Sequence, residues 1–259
     1  MLVALLSDAG FTGFEEEGIS LKAFIRADDL DRAGLDSISK LASEVFSEST
    51  IEEKNWNEEW EAGFEPVGVT AADSNECFAY IRAGFHEPDT SYLHDIIVTP
   101  KMSFGTGHHA TTWLVVSKMS AIDFKNKTVI DFGTGTGILA ILAEQLGASS
   151  VLGIDCDDWS INNAKENIAM NGCKNIHIVK AETLSTEKPV DIILANIILN
   201  IIKDNLTGIK KALKPGATVL FSGIMIHDKK GIINAIESMG ISINSISEKD
   251  GWLVIYAVN

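Results

Sequence analysis

The sequence has few cysteines and prolines and no long apolar run, and each shortage excludes a class of protein. Its three cysteines, Cys77, Cys156 and Cys173, lack C-x-x-C spacing, which argues against a disulfide framework or a zinc site. Five prolines and 21 glycines in 259 residues exclude a collagenous or low-complexity chain. The apolar start MLVALLSDAG has no basic n-region and is too short to cross a bilayer. We therefore expect a soluble, cytoplasmic protein that does not bind a membrane.

Basic residues are also scarce. The chain has 21 Lys and Arg against 36 Asp and Glu, a formal net charge of −15, and its basic residues form no cluster suited to phosphates. This predicts no direct binding to nucleic acid. The charge would attract a basic partner, although a surplus of solubilising carboxylates explains it equally well. We expect a monomer.

The first 53 residues predict a small α+β domain. A helix starts near Leu2, FTGFEEEG and ISLKAFIR form a strand pair, LDSISKLASEVF forms a second helix, and STIEEKNW forms a further strand. The second helix is expected to turn Ile38, Leu41 and Val45 inward. This order is a ferredoxin-like arrangement without its first strand, which suggests an N-terminal truncation.

Residues 54–64, which include most of the run NWNEEWEAGFEP, predict an acidic linker to a larger domain at 65–259. Three aromatic residues stand among the glutamates of this segment and suit a role as anchors of the linker: Trp56, Trp60 and Phe64. An ordinary capping helix fits the segment equally well.

The larger domain predicts an α/β fold with a doubly wound parallel sheet. Val67–Thr99 alternates apolar and polar residues in short runs, which indicates two or three strands. After residue 127, helical stretches separate the short apolar runs TVIDFG, VLGID, NIHIVK, VDIILAN and TVLFSG. The last piece predicts two strands joined by a turn at Lys249, Asp250 and Gly251, so that a sheet of seven strands ends in an antiparallel hairpin.

The run TVIDFGTGTGILA places Gly133, Gly135 and Gly137 between a strand and a helix. Such a turn brings a ligand against the backbone amides at the helix N-terminus. The dinucleotide fingerprint would require glycine at Ile138, and no Gly-Lys-Ser/Thr follows, so neither that motif nor a phosphate loop is present. A merely structural turn is the alternative.

Two polar residues follow later strands at the same predicted sheet edge. Asp155 ends the second strand, 22 residues after Gly133, where a carboxylate can accept both hydroxyls of a ribose. Asn196 ends the fourth strand, where an amide oxygen can accept from an amine and orient its lone pair. Each of them could instead cap the helix that follows it.

The motifs VIDFGTGTG, GIDCD and LANI resemble those of S-adenosylmethionine-dependent methyltransferases with a seven-stranded Rossmann-like domain. The resemblance implies S-adenosylmethionine as cofactor, with the glycine loop beside its methionine part and Asp155 on its ribose. Asn196 would lie beside the sulfonium and the acceptor nitrogen. Glu182 stands where the family contacts adenine, although a plain surface carboxylate is equally compatible with this position.

The run KMSFGTGHHATT, together with NWNEEWEAGFEP, is similar to the ribosomal protein L11 methyltransferase family. This resemblance implies methylation of the α-amine and lysine amines of ribosomal protein L11, which the N-terminal domain would bind. It also implies that Phe104, Gly105 and Thr106 close over the methionine moiety, that Thr112 contacts the cofactor, and that His108 lies near the acceptor. Adjacent histidines diverge on a turn, so we predict no metal site at this run.

Other functions fit parts of the same pattern. A nicotinamide-dependent hydride transfer shares the ribose acid but favours the other glycine spacing. A methyltransferase of another protein, a small amine or an RNA base would carry the same loop and acid, because these report the cofactor alone. A cofactor-binding assembly factor without turnover is a further alternative.

Overall fold

The computed structural model describes the chain in six stretches, residues 2–17, 20–42, 45–50, 63–100, 105 and 107–259. Contacts within the chain divide it into two compact units, Met1–Asn55 and Trp56–Asn259. Most of the predicted linker, including Trp56 and Trp60, lies outside the described residues, as does most of the strand predicted in STIEEKNW.

The small unit has the predicted order of helix, strand, strand and helix. Its elements are helix α1 (Leu2–Asp8), strands β1 (Gly13–Glu17) and β2 (Ser20–Phe24), a 3-10 turn (Ala27–Asp29) and helix α2 (Arg32–Ala42). The two strands pair antiparallel. Leu6 and Phe11 are its buried apolar residues among those described.

The inward positions predicted for the second helix are wrong at Leu41 and at Val45, which lies beyond the end of α2. Leu41 is 69% exposed and Val45 is 97% exposed, whereas Ile38 is half-buried. Helix α2 packs against α1, which has only seven residues. In the described part of the unit, a short helix and a two-stranded sheet offer too little apolar surface to cover a whole stripe of α2.

The large unit contains two sheets and, in its described part, five helices. The helices are α3 (Ala110–Met119), α4 (Ile138–Gln145), α5 (Asp158–Met170), α6 (Leu199–Ala212) and α7 (Lys229–Ser238), with a 3-10 turn at Ile226–Asp228. Strands β3 (Val67–Thr70), β4 (Cys77–Ala83) and β5 (His94–Val98) form the first sheet, within the range where two or three strands were predicted.

The second sheet has the seven predicted strands. They are β6 (Thr128–Phe132), β7 (Ser150–Asp155), β8 (Ile176–Lys180), β9 (Val190–Asn196), β10 (Leu213–Met225), β11 (Ser242–Lys249) and β12 (Trp252–Val258), in the spatial order β11-β12-β10-β9-β6-β7-β8. Strands β6 to β10 run parallel, and β12 pairs antiparallel with β10 and β11. Asp250 and Gly251 take left-handed φ values of 50° and 78° in the predicted hairpin turn.

Helices bury both faces of this sheet, which explains why its central strands are apolar throughout. One core joins residues of α3 and α4 to the three-stranded sheet, and the other joins residues of α6 and α7 to the opposite face. The order of the strands along the chain reverses between β6 and β9. A crevice forms at such a point, outside the C-terminal ends of the strands, and it is where open α/β sheets bind ligands.

Candidate active site

A cavity of about 360 Å³ lies at this edge of the sheet, a size that suits a bound cofactor. Its walls come from the ends of β6, β7, β9 and β10 and from the start of α3. Of the residues predicted for the site, it brings together Gly105, Thr112, Gly133, Gly135, Asp155, Glu182 and Asn196.

The glycine loop turns sharply from β6 into α4. Gly133, Gly135 and Gly137 have φ values of 77°, 51° and 82°, in the left-handed region that favours glycine. The amide of Gly133 donates to the carbonyl of Ile154 at 2.8 Å, which ties the loop to the end of β7. Gly137 stands outside the cavity lining, as the N-cap of α4 facing Ala164 on α5.

Asp155 at the end of β7 is held by backbone amides. Its Oδ2 accepts from the amide of Gly135 at 2.9 Å, and its Oδ1 accepts from the amide of Asp157 at 3.1 Å. A carboxylate has about four lone-pair sites, so both oxygens keep capacity for a ligand hydroxyl. Asp157, rather than Asp155, caps α5 by accepting from the amide of Ser160.

Asn196 at the end of β9 has one amide atom bonded and one not. Its Nδ2 donates to Thr112 Oγ1 at 3.4 Å, across the cavity wall. Its Oδ1 is buried and has no hydrogen-bond partner among the described residues. A buried acceptor without a donor is costly, which indicates a place for a ligand N–H or O–H.

The family described as "Ribosomal protein L11 methyltransferase (PrmA)" matches residues 12–259. The chain belongs to this family. It is 36% identical to the protein of that name from Phocaeicola vulgatus, over 97% of this chain and 90% of that protein. It is 35% identical to the one from Porphyromonas gingivalis, over 98% of this chain and 89% of that protein.

A solved structure extends the match from sequence to fold. The crystal structure of ribosomal protein L11 methylase from Lactobacillus delbrueckii subsp. bulgaricus has 31% sequence identity and a TM-score of 0.65. The match covers 73% of this chain and 97% of that one. The predicted family and the predicted Rossmann-like methyltransferase fold are therefore confirmed.

The two adjacent histidines of this L11 methyltransferase family member lie in different surroundings, one in the cavity lining and one outside it. His109 lines the cavity, caps α3 by accepting from the amide of Thr111, and lies edge-on to Trp252 with ring centroids 4.8 Å apart. His108 is exposed, stands outside the cavity lining, and lies edge-on to Phe64 at 4.8 Å. The role of His108 near the acceptor stays a prediction. Phe104 and Thr106 lie outside the described residues.

Sequence reasoning missed the buried acid that supports the glycine loop in this family member. Asp131 on β6 is fully buried, and its Oδ2 accepts from Thr134 Oγ1 at 2.7 Å. Burial raises the pKa of Asp131 to about 7, against the opposing effect of the Thr134 hydrogen bond. The sequence did carry a signal of this buried acid, because Asp131 stands among apolar residues in TVIDFG, two residues before the first glycine.

A second missed residue is Gly223 near the end of β10. It lines the cavity with φ +81°, and a Cβ added there would overlap the backbone carbonyl of Ile197. The side chain of Ile197 in turn lies against Gly133. Ile197 directly follows Asn196, so these two glycines shape the path of the chain beside the orphan amide oxygen.

The described residues contain no group of three or more His, Cys, Asp and Glu side chains that could hold a metal ion. Nor does any helix within the described stretches have the length and apolar character needed to span a bilayer.

Proposed function

We propose that this protein transfers methyl groups from S-adenosylmethionine to the α-amine and lysine amines of ribosomal protein L11 in the cytoplasm. One observation carries the proposal. A single cavity collects the glycine loop, Asp155 and the orphan oxygen of Asn196 in a chain that matches the family across residues 12–259. We also propose, as the sequence predicts, that residues 1–53 recognise the substrate and that residues 65–259 bind the cofactor.

The residues at the cavity suit S-adenosylmethionine in kind and position. Asp155, fixed by two backbone amides, supplies the acceptor that a ribose diol needs. The loop at Gly133 and Gly135 would hold the methionine part, and Glu182 would face the adenine. Gly105 and Thr112 complete this set of cavity residues.

The cofactor supplies an electrophilic methyl group on a sulfonium. The task of the chain is then to position a neutral amine and to exclude water. Asn196 Oδ1 can accept an N–H of the amine and leave its lone pair free, and an amide cannot act as a base. The remaining wall is largely apolar and lowers the pKa of an enclosed amine. Its apolar members include Phe132, Ile138, Leu139, Ile154, Ile197, Ile198, Ile201 and Trp252.

The test is mass spectrometry of purified ribosomal protein L11 after incubation with this chain and S-adenosylmethionine. We expect mass increments of one or more methyl groups, and fragmentation should place them on amines. Asp155→Ala should abolish or strongly reduce the increments because it removes the ribose acceptor.

A matched variant controls for the loss of one negative charge. Asp158 lies three residues further along, is exposed, and pairs with Lys180 at 2.6 Å outside the cavity lining. Asp158→Ala should leave methylation intact. Binding of S-adenosylmethionine without any mass increment on L11 would overturn the substrate assignment, and absence of binding would overturn the cofactor assignment.

A further inference from the structure

Thr136 in the glycine loop is bonded directly to Gly105 and, through Asn167, to Thr99. Its Oγ1 donates to the carbonyl of Gly105 at 2.7 Å. Its own carbonyl accepts from Asn167 Nδ2 at 2.8 Å, and Asn167 Oδ1 accepts from the amide of Thr99 at 2.8 Å. Three hydrogen bonds thus connect Thr99, the glycine loop and Gly105 through two side chains.

These two side chains are buried. Thr136 is 1% exposed and Asn167, on α5, is 0% exposed. Water cannot replace a hydrogen bond at such positions, so removing either side chain leaves backbone groups unpaired. The arrangement therefore fixes where Gly105 and the glycine loop lie relative to each other, and both line the cavity.

Asn171, one helical turn after Asn167, makes nearly the same bonds to a different part of the chain. Its Oδ1 accepts from the amide of Ile97 at 2.9 Å, and its Nδ2 donates to the carbonyl of Ile97 at 2.7 Å. Both asparagines thus bind backbone groups at the end of β5, Asn167 from the last turn of α5 and Asn171 from its C-cap position. Asn167 reaches the glycine loop, whereas the hydrogen bonds of Asn171 join only α5 and the end of β5.

We propose that Asn167 and Thr136 are positioning residues for the cofactor. Their hydrogen bonds form a frame that fixes the position of Gly105 relative to the glycine loop. The distance between these two parts of the cavity lining is thereby kept constant. This inference rests on the proposed function, because it assigns the frame to the binding of S-adenosylmethionine.

The experiment measures the dissociation constant of S-adenosylmethionine by calorimetry, and the thermal midpoint, for matched variants. Asn167→Ala frees the amide of Thr99 and the carbonyl of Thr136. Asn171→Ala frees the amide of Ile97 and removes a donor from the carbonyls of Ile97 and Asn167. We expect both to lower the thermal midpoint. Asn167→Ala should also raise the dissociation constant by roughly tenfold, whereas Asn171→Ala should change it by less than about twofold.

A second pair of variants tests the hydrogen bond of Thr136, and its result does not depend on whether Asn167→Ala folds. Thr136→Val keeps the shape of the side chain and removes the hydroxyl, while Thr136→Ser keeps the hydroxyl. Thr136→Ser should bind the cofactor more tightly than Thr136→Val. In the double variant, Thr136→Val and Asn167→Ala should weaken binding by less than the product of their separate effects, because each breaks the same frame.

Two outcomes would overturn the inference, and they are distinct. If the unaltered chain binds S-adenosylmethionine but Asn167→Ala and Asn171→Ala weaken binding equally, with Thr136→Ser no better than Thr136→Val, these residues serve stability alone. If the unaltered chain binds no S-adenosylmethionine, the proposed function fails and this inference fails with it.

Discussion

The two sides of the cavity differ in how their polar groups are satisfied. On the glycine-loop side, both oxygens of Asp155 accept backbone amides, and the hydroxyls of Thr134 and Thr136 each donate at 2.7 Å. On the β9–β10 side, Asn196 Oδ1 is buried without a partner among the described residues. Asp131 Oδ1, on the glycine-loop side, also lacks a partner among the described residues, but Asp131 is fully buried and stands outside the cavity lining. Asn196 lines the cavity, so a ligand can supply the donor that its oxygen lacks.

The two sides are also shaped by different forces. Side-chain hydrogen bonds and a buried acid hold the glycine loop. Close backbone packing shapes the other side, where Gly223 lies against the carbonyl of Ile197. Changes on the first side should therefore act on stability and cofactor affinity, and changes on the second on the rate of methyl transfer.

The largest effect is expected from the buried acid on the glycine-loop side. The pKa of Asp131 is about 7 in the folded protein because of burial, and about 4 in an unfolded chain. Between these pH values the carboxyl binds its proton more in the folded than in the unfolded state, so the contribution of Asp131 to stability falls as pH rises and levels off above pH 7. The side chain of Asp131→Asn stays neutral at every pH. The free energy of unfolding of this variant, minus that of the unaltered chain, should therefore be about 4 kcal/mol more positive at pH 8 than at pH 4.

Urea denaturation at several pH values checks this, and Asp191 gives a control of opposite sign. Burial would raise the pKa of Asp191, but hydrogen bonds from Lys214 and Thr128 outweigh it and lower that pKa to about 2. Its contribution to stability is present above pH 4 and is lost as pH falls towards 2. Parallel pH profiles for Asp131→Asn and the unaltered chain would contradict the assignment of Asp131 as the raised group.

The second largest effect is expected at Gly223. Alanine there would meet the carbonyl of Ile197 and displace the neighbouring Asn196. A displacement of about 1 Å costs roughly 100-fold in rate, so kcat for L11 methylation should fall by that order while cofactor binding changes less. Gly216 on the same strand has a similar φ of +73° with no atom within 4 Å of an added Cβ. Gly216→Ala carries the same backbone strain without the collision, and equal losses in the two variants would show that strain alone is responsible.

A smaller effect on rate, with little change in stability, is expected at Asn196. Asn196→Ala removes an unsatisfied acceptor, so its free energy of unfolding should change by less than about 1 kcal/mol, while kcat falls roughly tenfold. Asn205 is the matched asparagine, since its Oδ1 accepts from the amide of Leu184 and its Nδ2 donates to the carbonyl of Ile201. Asn205→Ala should destabilise the protein by about 1–3 kcal/mol. A stability loss at Asn196 equal to that at Asn205 would mean that its amide serves the fold.

The sequence predicts the local features of the site better than its long-range contacts. Strand ends and glycine spacing are local signals, and they place Gly133, Asp155 and Asn196 correctly at one edge of the sheet. The contact of Gly223 with Ile197 and the bond of Asn167 to Thr99 join residues that are 26 and 68 positions apart. No periodicity in the sequence reports such contacts, because they depend on how the finished sheet and helices pack.

Side-chain direction is equally hidden from the sequence. The run GHHATT does not show that His109 caps α3 and enters the cavity lining while His108 stays outside it. Helical periodicity predicts an apolar stripe on α2, but it does not say whether another element covers that stripe, and Leu41 is 69% exposed.

The smallest effect is expected at Thr112, which joins α3 to the β9–β10 side. Its Oγ1 accepts from Asn196 Nδ2 at 3.4 Å, a long and therefore weak hydrogen bond. Thr112→Val keeps the buried shape and removes this acceptor, so kcat should fall by about threefold, with Thr112→Ser closer to the unaltered chain. Steady-state kinetics with L11 measure this difference. A loss of kcat in Thr112→Val as large as that in Asn196→Ala would mean that the effect of Asn196 depends on its hydrogen bond to Thr112 and not on its orphan oxygen. The contrast between the two sides of the cavity would then rest on this one hydrogen bond.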